Sequence, residues 1–187
     1  MSSNRFPRRT DARLQRERRF LLPSLPRSLA VGSAWLVEER YLAGTGLTLR
    51  RCISPRAFAT GVPPVLTLGQ QIRTASDRSA RFTLVDRLHP AEYQTLARLP
   101  AEVLVWRRYD VTLSGYPANV DVFEGDLHGL VLAQASFDSP VEAAEFQQPV
   151  YAVAEVTGDP RFGEHSLART NAMWLSRLLA EYGVLIR

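Results

Sequence analysis

The sequence predicts a mostly β protein of the α+β class, with antiparallel strands in a sandwich or barrel and a few flanking helices. Eight segments alternate apolar and polar side chains or are rich in β-branched and aromatic residues, which is typical of strands. Short turn sequences such as Ala43-Gly44-Thr45-Gly46 separate several of them, as in β-hairpins. Apolar residues at helical spacing are clearest near the C-terminus, so a terminal helix is expected.

The predicted elements follow one another with short connections. The strands are predicted at residues 15–22, 34–42, 47–53, 65–73, 81–88, 103–113, 118–124 and 129–137. Two short helices are predicted at residues 89–99 and 140–147. The longest helix is predicted at residues 166–182, with Ser166 as its N-cap, Gly183 at its end, and an apolar stripe of Leu167, Trp174, Leu175, Leu178, Leu179 and Tyr182.

Composition limits the class of protein. With 45% hydrophobic residues, the 187-residue chain can bury a core and suits a single domain. No apolar run approaches the ~20 residues of a membrane helix, and Cys52, the single cysteine, excludes an internal disulfide and a Cys-rich metal site. The basic segment 1–13 lacks the apolar stretch of a secretory signal, so we expect a flexible tail there and a cytoplasmic location.

All basic residues of the chain are arginines. There are 23 of them, with no lysine, and the formal net charge is +4. The guanidinium group presents a fixed planar set of donors that matches phosphate and carboxylate oxygens. The charge is therefore compatible with an anionic small molecule, whereas neither membrane binding nor specific nucleic-acid binding is predicted.

Three predicted strands have one polar and one apolar face, because successive side chains of a strand point to opposite sides. In residues 103–113 the polar face carries Trp106, Arg108 and Asp110. In the two following strands it carries Asn119 with Asp121, and Gln134 with Ser136, the latter pair opposite the apolar Val131, Ala133, Ala135 and Phe137. Such a polar face either meets solvent, which is the usual arrangement, or lines the interior of a barrel.

Five blocks of sequence stand out along the chain. They are Gln-Arg-Glu-Arg-Arg-Phe-Leu at 15–21, Glu-Arg-Tyr-Leu at 39–42, Leu-Gly-Gln-Gln-Ile-Arg at 68–73, Asn-Val-Asp-Val-Phe-Glu-Gly at 119–125 with Gly-Leu-Val-Leu-Ala at 129–133, and Glu-Val-Thr-Gly-Asp-Pro-Arg-Phe at 155–162 with Leu167 and Ala168 after it. In this order they resemble the landmarks of the CYTH family, within the triphosphate tunnel metalloenzymes. The last two blocks are the most specific.

The resemblance implies an eight-stranded antiparallel closed β-barrel over residues 14–187, with flanking helices, a C-terminal helix and a tunnel that binds a triphosphate. Family members include triphosphatases and a class of adenylyl cyclases, all dependent on Mg²⁺ or Mn²⁺. Carried over by position, the resemblance assigns phosphate contacts to Arg19, Arg50 and Arg108, and metal contacts to Glu17 and Asp121. It assigns no catalytic residue in this chain.

Many tunnel positions of the family pattern hold other residue types here. Uncharged side chains stand at Gln15, Asn119, Gln134 and Ser136, where the family has acids, and at Thr48, Thr67 and Trp106, where it has basic residues. We expect all of them to line the tunnel together with Asp110. Because Mg²⁺ is usually held by one or two carboxylates with phosphates and waters, these replacements predict only a weak Mg²⁺ or Mn²⁺ site.

Other residues with potential chemistry have simpler structural interpretations. Glu155 is interpreted as a capping residue near the turn Gly158-Asp159-Pro160. The three histidines, His89, His128 and His165, are dispersed without the spacing of metal ligands and are expected at the surface.

Three functions are compatible with this pattern. The first, which we favour, is a catalytically impaired or inactive tunnel protein that binds a phosphate-rich anion, polyphosphate or nucleotide, through its arginines. The second is an active Mg²⁺- or Mn²⁺-dependent triphosphatase or related phosphohydrolase with a reduced metal site. The third is a non-catalytic regulatory or interaction protein. In that protein Arg50 and Arg108 would serve as counter-ions of Glu17 and Asp121, because unpaired interior charge is costly.

Overall fold

Antiparallel strands account for most of the regular structure. The computed structural model describes residues 13–27, 34–73 and 80–186. Their strands are β1 (Arg13–Leu22), β2 (Trp35–Leu42), β3 (Leu47–Ile53), β4 (Val65–Arg73), β5 (Ala80–Arg87), β6 (Ala101–Leu113), β7 (Tyr116–Phe123), β8 (Val131–Phe137) and β9 (Ala154–Glu155). Their helices are α1 (Ala57–Thr60), α2 (Pro90–Leu96), α3 (Pro140–Glu145), α4 (Glu164–Leu167) and α5 (Ala172–Glu181), with 3₁₀ helices at Gly125–Leu127 and Pro160–Phe162. The prediction of a mostly β chain with few helices is confirmed, and β9 is an addition to the strands expected.

The strands form one antiparallel sheet in the order β5-β4-β3-β2-β6-β7-β8-β1-β9. Most strands that are adjacent in the sheet also follow one another in the sequence, as in hairpins. The turn after β2 uses Gly44 at φ 73°, a conformation that glycine adopts without steric cost. Strand β1 pairs with β8 over residues 16–22, with β5 over residues 13–16 and with β9 at Phe20 and Leu21. Arg13, assigned to the tail in the sequence, is therefore the first residue of β1, and the rest of the predicted tail lies outside the described residues.

We call the side of the sheet that carries Arg19, Arg50 and Arg108 the arginine face. The opposite face is covered by two apolar clusters. One contains Val131, Ala133, Ala135 and Phe137 of β8, with Phe20 and Leu22 of β1, packed against Ala143 and Phe146 at α3. The other places Tyr93 of α2 on Leu42, Leu49 and Leu66. The apolar side of the predicted strand 129–137 is thus found under a helix, as expected.

A third apolar cluster lies on the arginine face and holds the C-terminal segment. Leu21, Trp106, Phe123 and Leu132 of the sheet pack with Phe162, Leu167, Leu175 and Leu179 from the C-terminal elements. Burying a large apolar side chain contributes about 1.5–3 kcal/mol relative to leaving it exposed. The C-terminal segment is therefore an integral part of the core on this face.

The C-terminal helix differs from its prediction. Instead of one helix over 166–182 there are two, α4 and α5, separated by residues 168–171. Ser166 lies inside α4, whereas Asn171 caps α5 by accepting a hydrogen bond from the backbone N–H of Trp174 at 3.0 Å. Leu175, Leu178 and Leu179 are buried, but Trp174 is 61% exposed. No helix of the described chain is long and apolar enough to span a membrane.

An ion pair on the opposite face ties β1 to the segment after α3. Arg18 donates to Glu155 at 2.9 Å through Nε and to the carbonyl oxygen of Ala143 at 3.0 Å. The Thr157 hydroxyl also donates to the Glu155 carboxylate, at 2.7 Å. The hydrogen bond from Arg18 is the main cause that lowers the pKa of Glu155 from its ordinary value of 4.5. Glu155 is thus a structural residue, bound to Arg18 and Thr157.

The Glu155–Arg18 pair predicts a pH-dependent contribution to stability. Because the folded-state pKa of Glu155 is lowered, its contribution is present above about pH 4.5 and is lost as the pH falls through that lowered pKa. We expect Glu155→Gln to reduce the free energy of unfolding in urea at pH 7, and to differ little from wild type once the pH lies well below the lowered pKa of Glu155.

Glu145→Gln, which removes an exposed carboxylate from the neighbouring helix α3, is the control for a general change of net charge. A difference between wild type and Glu155→Gln that stayed constant from neutral to acid pH would contradict the prediction.

Candidate functional site

The strand register places the predicted tunnel residues on the arginine face. Directly opposed positions are Glu17 with Ser136, Arg19 with Gln134, Arg50 with Thr67, Arg108 with Asp121, Asp110 with Asn119, Thr48 with Tyr41, and Trp106 with Val37. Residues two apart on a strand share a face, so these positions fall on one side of the sheet. Gln15 stands opposite Arg81 in the β1–β5 ladder, but its side chain lies outside the described residues.

Arg108 is bound to Asp121 through two parallel hydrogen bonds. Its Nε and Nη2 donate to the two carboxylate oxygens at 2.8 and 2.7 Å. The side chain of Asp121 is only 9% exposed. Burial acts to lower the pKa of Arg108, but the charge and hydrogen bonds of Asp121 outweigh it, so the pKa of Arg108 is raised. The guanidinium also lies 5.7 Å from the ring centre of Trp106, a cation–π contact.

Arg50 is bound to Glu39, the most deeply buried carboxylate of the face at 2% exposure. Its Nε donates to Glu39 Oε1 at 2.5 Å, Nη2 approaches the same oxygen, and the Tyr41 hydroxyl donates to the other. Burial acts to lower the pKa of Arg50, and the charge of Glu39 raises it above its ordinary value. Burial and the neighbouring Glu39 also raise the pKa of the Tyr41 hydroxyl, which is therefore a donor at neutral pH. The partner of Arg50 is Glu39, which corrects the pairing with Glu17 or Asp121 considered from sequence.

Arg19 is bound to the C-terminal segment. Its Nη2 forms an ion pair with Glu164 of α4 at 2.5 Å and donates to Gln134 at 3.1 Å. Its Nη1 donates to the carbonyl oxygen of Phe162 at 2.6 Å. Burial, the largest effect, acts to lower the pKa of Arg19, but the charges of Glu164, Glu17 and Asp121 raise it. The first of the predicted phosphate ligands thus has an internal anionic partner.

Arg50 and Arg108 keep hydrogen-bonding capacity that their carboxylates do not use. Each binds its partner through Nε and Nη2, and no hydrogen bond from either Nη1 is made to the described residues. The two guanidinium groups are close enough for the charge of Arg108 to lower the pKa of Arg50. The side chains of Arg50 and Arg108 are 35% and 23% exposed. Each of the two cations therefore retains a donor that makes no hydrogen bond to the described residues.

Two further polar atoms lie beside this pair of arginines. Nε1 of Trp106 and Oδ1 of Asn119 are buried and have no hydrogen-bond partner among the described residues. Along β6 and β7 they stand two positions from Arg108 and Asp121, respectively, on the same face. The two atoms lie on opposite sides of the Arg108–Asp121 pair along the ladder. Because buried polar atoms usually have a partner, a ligand atom or ordered water is expected at each of them.

The donor set fits a divalent cation poorly. Asp121, Glu39 and Glu164 are each bound to an arginine, and Glu17 lies near enough to Arg19 to raise its pKa. Among the described residues no group of three or more His, Cys, Asp or Glu side chains is arranged to hold a metal ion. Mg²⁺ is usually held by one or two carboxylates with phosphates and waters, and the carboxylates of this face already interact with guanidinium groups. The metal contacts predicted for Glu17 and Asp121 stay a prediction.

Sequence reasoning missed Glu39 and Glu164. Glu39 carried a signal, because it alternates with Val37 and Tyr41 on a face whose other residues are apolar or aromatic. Glu164 showed no such signal in the sequence, because it lies 145 residues from Arg19 and contacts it only in the folded structure. His89 and His128 are exposed as expected, and His89 caps α2. His165 is exposed as well, but its ring packs on Tyr41 with 4.5 Å between centroids.

Comparison with known proteins identifies the fold. No family model matches the sequence. An inorganic triphosphatase of Acetivibrio thermocellus is 39% identical over 62 residues, which are 33% of this chain and 38% of that protein. A crystal structure of the inorganic triphosphatase NE1496 superposes with a TM-score of 0.56 at 23% identity, covering 83% of this chain and 95% of that one. A second, described as the hypothetical protein NE1496, gives 0.56 at 22% identity, covering 84% and 99%.

The chain therefore has the fold of a triphosphatase, a mostly β protein built on one antiparallel sheet. The shared fold and the 62-residue match agree with the resemblance to the CYTH family given by the sequence blocks.

The buried pair of Glu39 and Arg50 predicts a stability difference between adjacent glutamates. Glu39→Gln leaves the charge of Arg50 without its partner, and breaking a buried pair typically costs about 3–5 kcal/mol. We expect the lower end of that range, because Arg50 keeps some contact with solvent.

Glu38→Gln is the matched control. Glu38 lies on the opposite face, 3.7 and 3.6 Å from Arg40 and Arg51, and such looser pairs contribute about 0–1 kcal/mol. Urea unfolding at neutral pH measures both. Equal losses in the two variants would show that Glu39 is not a structural counter-ion.

Proposed function

We propose that the chain is a tunnel protein that binds a phosphate-rich anion between Arg50 and Arg108, with little or no metal-dependent hydrolysis. In this proposal strands β1 to β8 enclose the tunnel and the arginine face lines it. Support for closure comes from β5, which pairs both with β4 and with the first residues of β1. Support for the ligand class comes from the fold shared with an inorganic triphosphatase, a protein named for a triphosphate substrate.

The observation that carries the proposal is the pair of partly used guanidinium groups. Each arginine is fixed by its carboxylate through Nε and Nη2, so its orientation is set before any ligand binds. Each retains Nη1, and their mutual repulsion would be relieved by an anion placed between them. Charge-assisted hydrogen bonds to phosphate are among the stronger polar contacts, and preorganisation reduces the entropic cost of forming them.

Weak hydrolysis is proposed because the groups that would hold a metal are occupied or replaced. Gln134 and Ser136 are uncharged, and Gln134 accepts a hydrogen bond from Arg19. Asp121 accepts two hydrogen bonds from Arg108. A divalent cation would compete with this guanidinium group for the carboxylate and would be repelled by its positive charge. An active phosphohydrolase with a reduced metal site remains the second candidate.

The binding proposal predicts a specific effect of Arg108. We expect Arg108→Gln to weaken tripolyphosphate binding roughly ten- to a hundredfold in calorimetric titration without divalent metal, the loss of about 1.5–3 kcal/mol typical of one charged hydrogen-bonding partner. Arg107→Gln is the matched control, because Arg107 is the next residue, lies on the opposite face and is paired with Glu124. Arg107→Gln should bind like wild type.

A purely structural role of Arg108 is distinguished by the double variant Arg108→Gln with Asp121→Asn. This variant removes both charges, so neither is left unpaired in the interior. Under the binding proposal its melting temperature recovers relative to Arg108→Gln alone, while tripolyphosphate binding stays weak. Unchanged tripolyphosphate affinity in both variants would show that Arg108 is a counter-ion of Asp121 and does not bind the ligand.

The proposal also predicts low catalytic activity. We expect little phosphate release from tripolyphosphate or nucleoside triphosphates in Mg²⁺ or Mn²⁺, because Gln134 and Ser136 stand where the family has metal-binding acids. Phosphate release measured over time, with and without chelator, checks this. Robust metal-dependent turnover that is abolished by Glu17→Gln would favour the active phosphohydrolase instead.

A further inference from the structure

We propose that Glu164 is an internal competitor for the anion site, which occupies Arg19 and so prevents the third phosphoryl group of a triphosphate from adding to the affinity. The inference rests on the proposed anion site and concerns which ligands that site accepts. Of the three arginines that the family resemblance assigns to phosphate, Arg19 is the one whose ion-pairing partner lies outside the large strands, on α4. The Glu164 carboxylate takes the position on Arg19 that a ligand oxygen would otherwise take.

Both terminal nitrogens of Arg19 are engaged. Nη1 donates to the carbonyl oxygen of Phe162, and Nη2 is shared between Glu164 and Gln134 of β8. The side chain of Arg19 is only 14% exposed, compared with 35% for Arg50. Arg50 and Arg108 differ from it, because each keeps its terminal Nη1 without a hydrogen bond to the described residues.

Glu164 is also held firmly in place. Phe162 and Leu167, on either side of it, are each 1% exposed in the apolar cluster on the arginine face. The ring of the adjacent His165 packs on Tyr41. These buried contacts fix the backbone of Glu164, so its carboxylate stays within reach of Arg19.

Glu164 belongs to the same charge network as the two available arginines. Its charge helps to raise the pKa of Tyr41, whose hydroxyl donates to Glu39, the partner of Arg50. Arg19 in turn lies near enough to Asp121, the partner of Arg108, for that charge to raise its pKa. A phosphate chain that extended from Arg50 and Arg108 toward Arg19 would bring a further negative group to Glu164. Because like charges brought together oppose binding, the third phosphoryl group adds little to the affinity.

The test compares pyrophosphate with tripolyphosphate by calorimetric titration in the presence of chelator. In the wild-type protein we expect the two affinities to agree within about threefold, because the third phosphoryl group finds no available cation. In Glu164→Gln we expect tripolyphosphate affinity to rise about tenfold or more, since Arg19 is released, while pyrophosphate affinity changes little. The ratio of the two affinities in the wild-type protein is itself a test. If wild type binds tripolyphosphate more than about tenfold tighter than pyrophosphate, the proposal is overturned.

Two variants make the readout specific to the Arg19–Glu164 pair. Arg19→Gln with Glu164→Gln removes both charges and should return the tripolyphosphate affinity to the wild-type value. Glu181→Gln, which removes a carboxylate paired with Arg161 on the same C-terminal segment, should leave both affinities unchanged. A gain in Glu164→Gln that is equal for both phosphates, or that persists in the double variant, overturns the competitor role of Glu164.

Failure of this inference is separable from failure of the proposed function. If wild type binds pyrophosphate and Arg108→Gln weakens that binding, the anion site stands, whatever Glu164→Gln does. If neither phosphate binds wild type or Glu164→Gln, the anion site and the role of Glu164 are both refuted.

Discussion

The arrangement of this protein depends on how it compensates positive charge on a partly buried sheet face. The chain has no lysine, so every basic side chain on that face is a guanidinium, which stays charged at any physiological pH. A buried charge is tolerated only when it is paired and hydrogen-bonded. Arg19, Arg50 and Arg108 each meet this requirement with a different carboxylate.

The three pairs join elements at increasing distance along the chain. Arg50 and Glu39 belong to the β2–β3 hairpin, and Arg108 and Asp121 to β6 and β7. Arg19 and Glu164 connect the first strand to the C-terminal segment. The third pair acts together with the apolar cluster of Phe162, Leu167 and the facing strands. Pairing of charge and burial of apolar surface thus place the C-terminal segment on the same part of the sheet.

Much of the site could be predicted because strands have a period of two. Once the strand around Arg108 was recognised, alternation alone placed Trp106 and Asp110 beside it, and the same rule placed Gln134 with Ser136. What alternation cannot supply is the partner of each charge. Glu39 could have been predicted as a partner, since it alternates with Val37 and Tyr41 on one face of its strand. Glu164 could not, because its contact with Arg19 depends on tertiary packing.

The C-terminal helix shows the other limit of sequence reasoning. The apolar spacing of Leu175, Leu178 and Leu179 was correctly interpreted, and these residues are buried. The break before them was missed, because Leu167 continues the same spacing and conceals the change of direction. Asn171 was the local signal: its side chain competes for backbone N–H groups, which favours a cap over a helix interior.

The way in which the pairs are made bears on what the arginine face can bind. A cation that approached Asp121 or Glu39 would compete with a guanidinium held by two nitrogens and would be repelled by its charge. An anion that approached Arg108 or Arg50 would add bonds at Nη1 and leave both pairs intact. Breaking a buried pair costs several kcal/mol, whereas adding a charged hydrogen bond contributes about 1.5–3 kcal/mol. The anion site that we propose is therefore compatible with the carboxylates that stabilise the fold, because these occupy Nε and Nη2 and leave Nη1 of each arginine for a ligand.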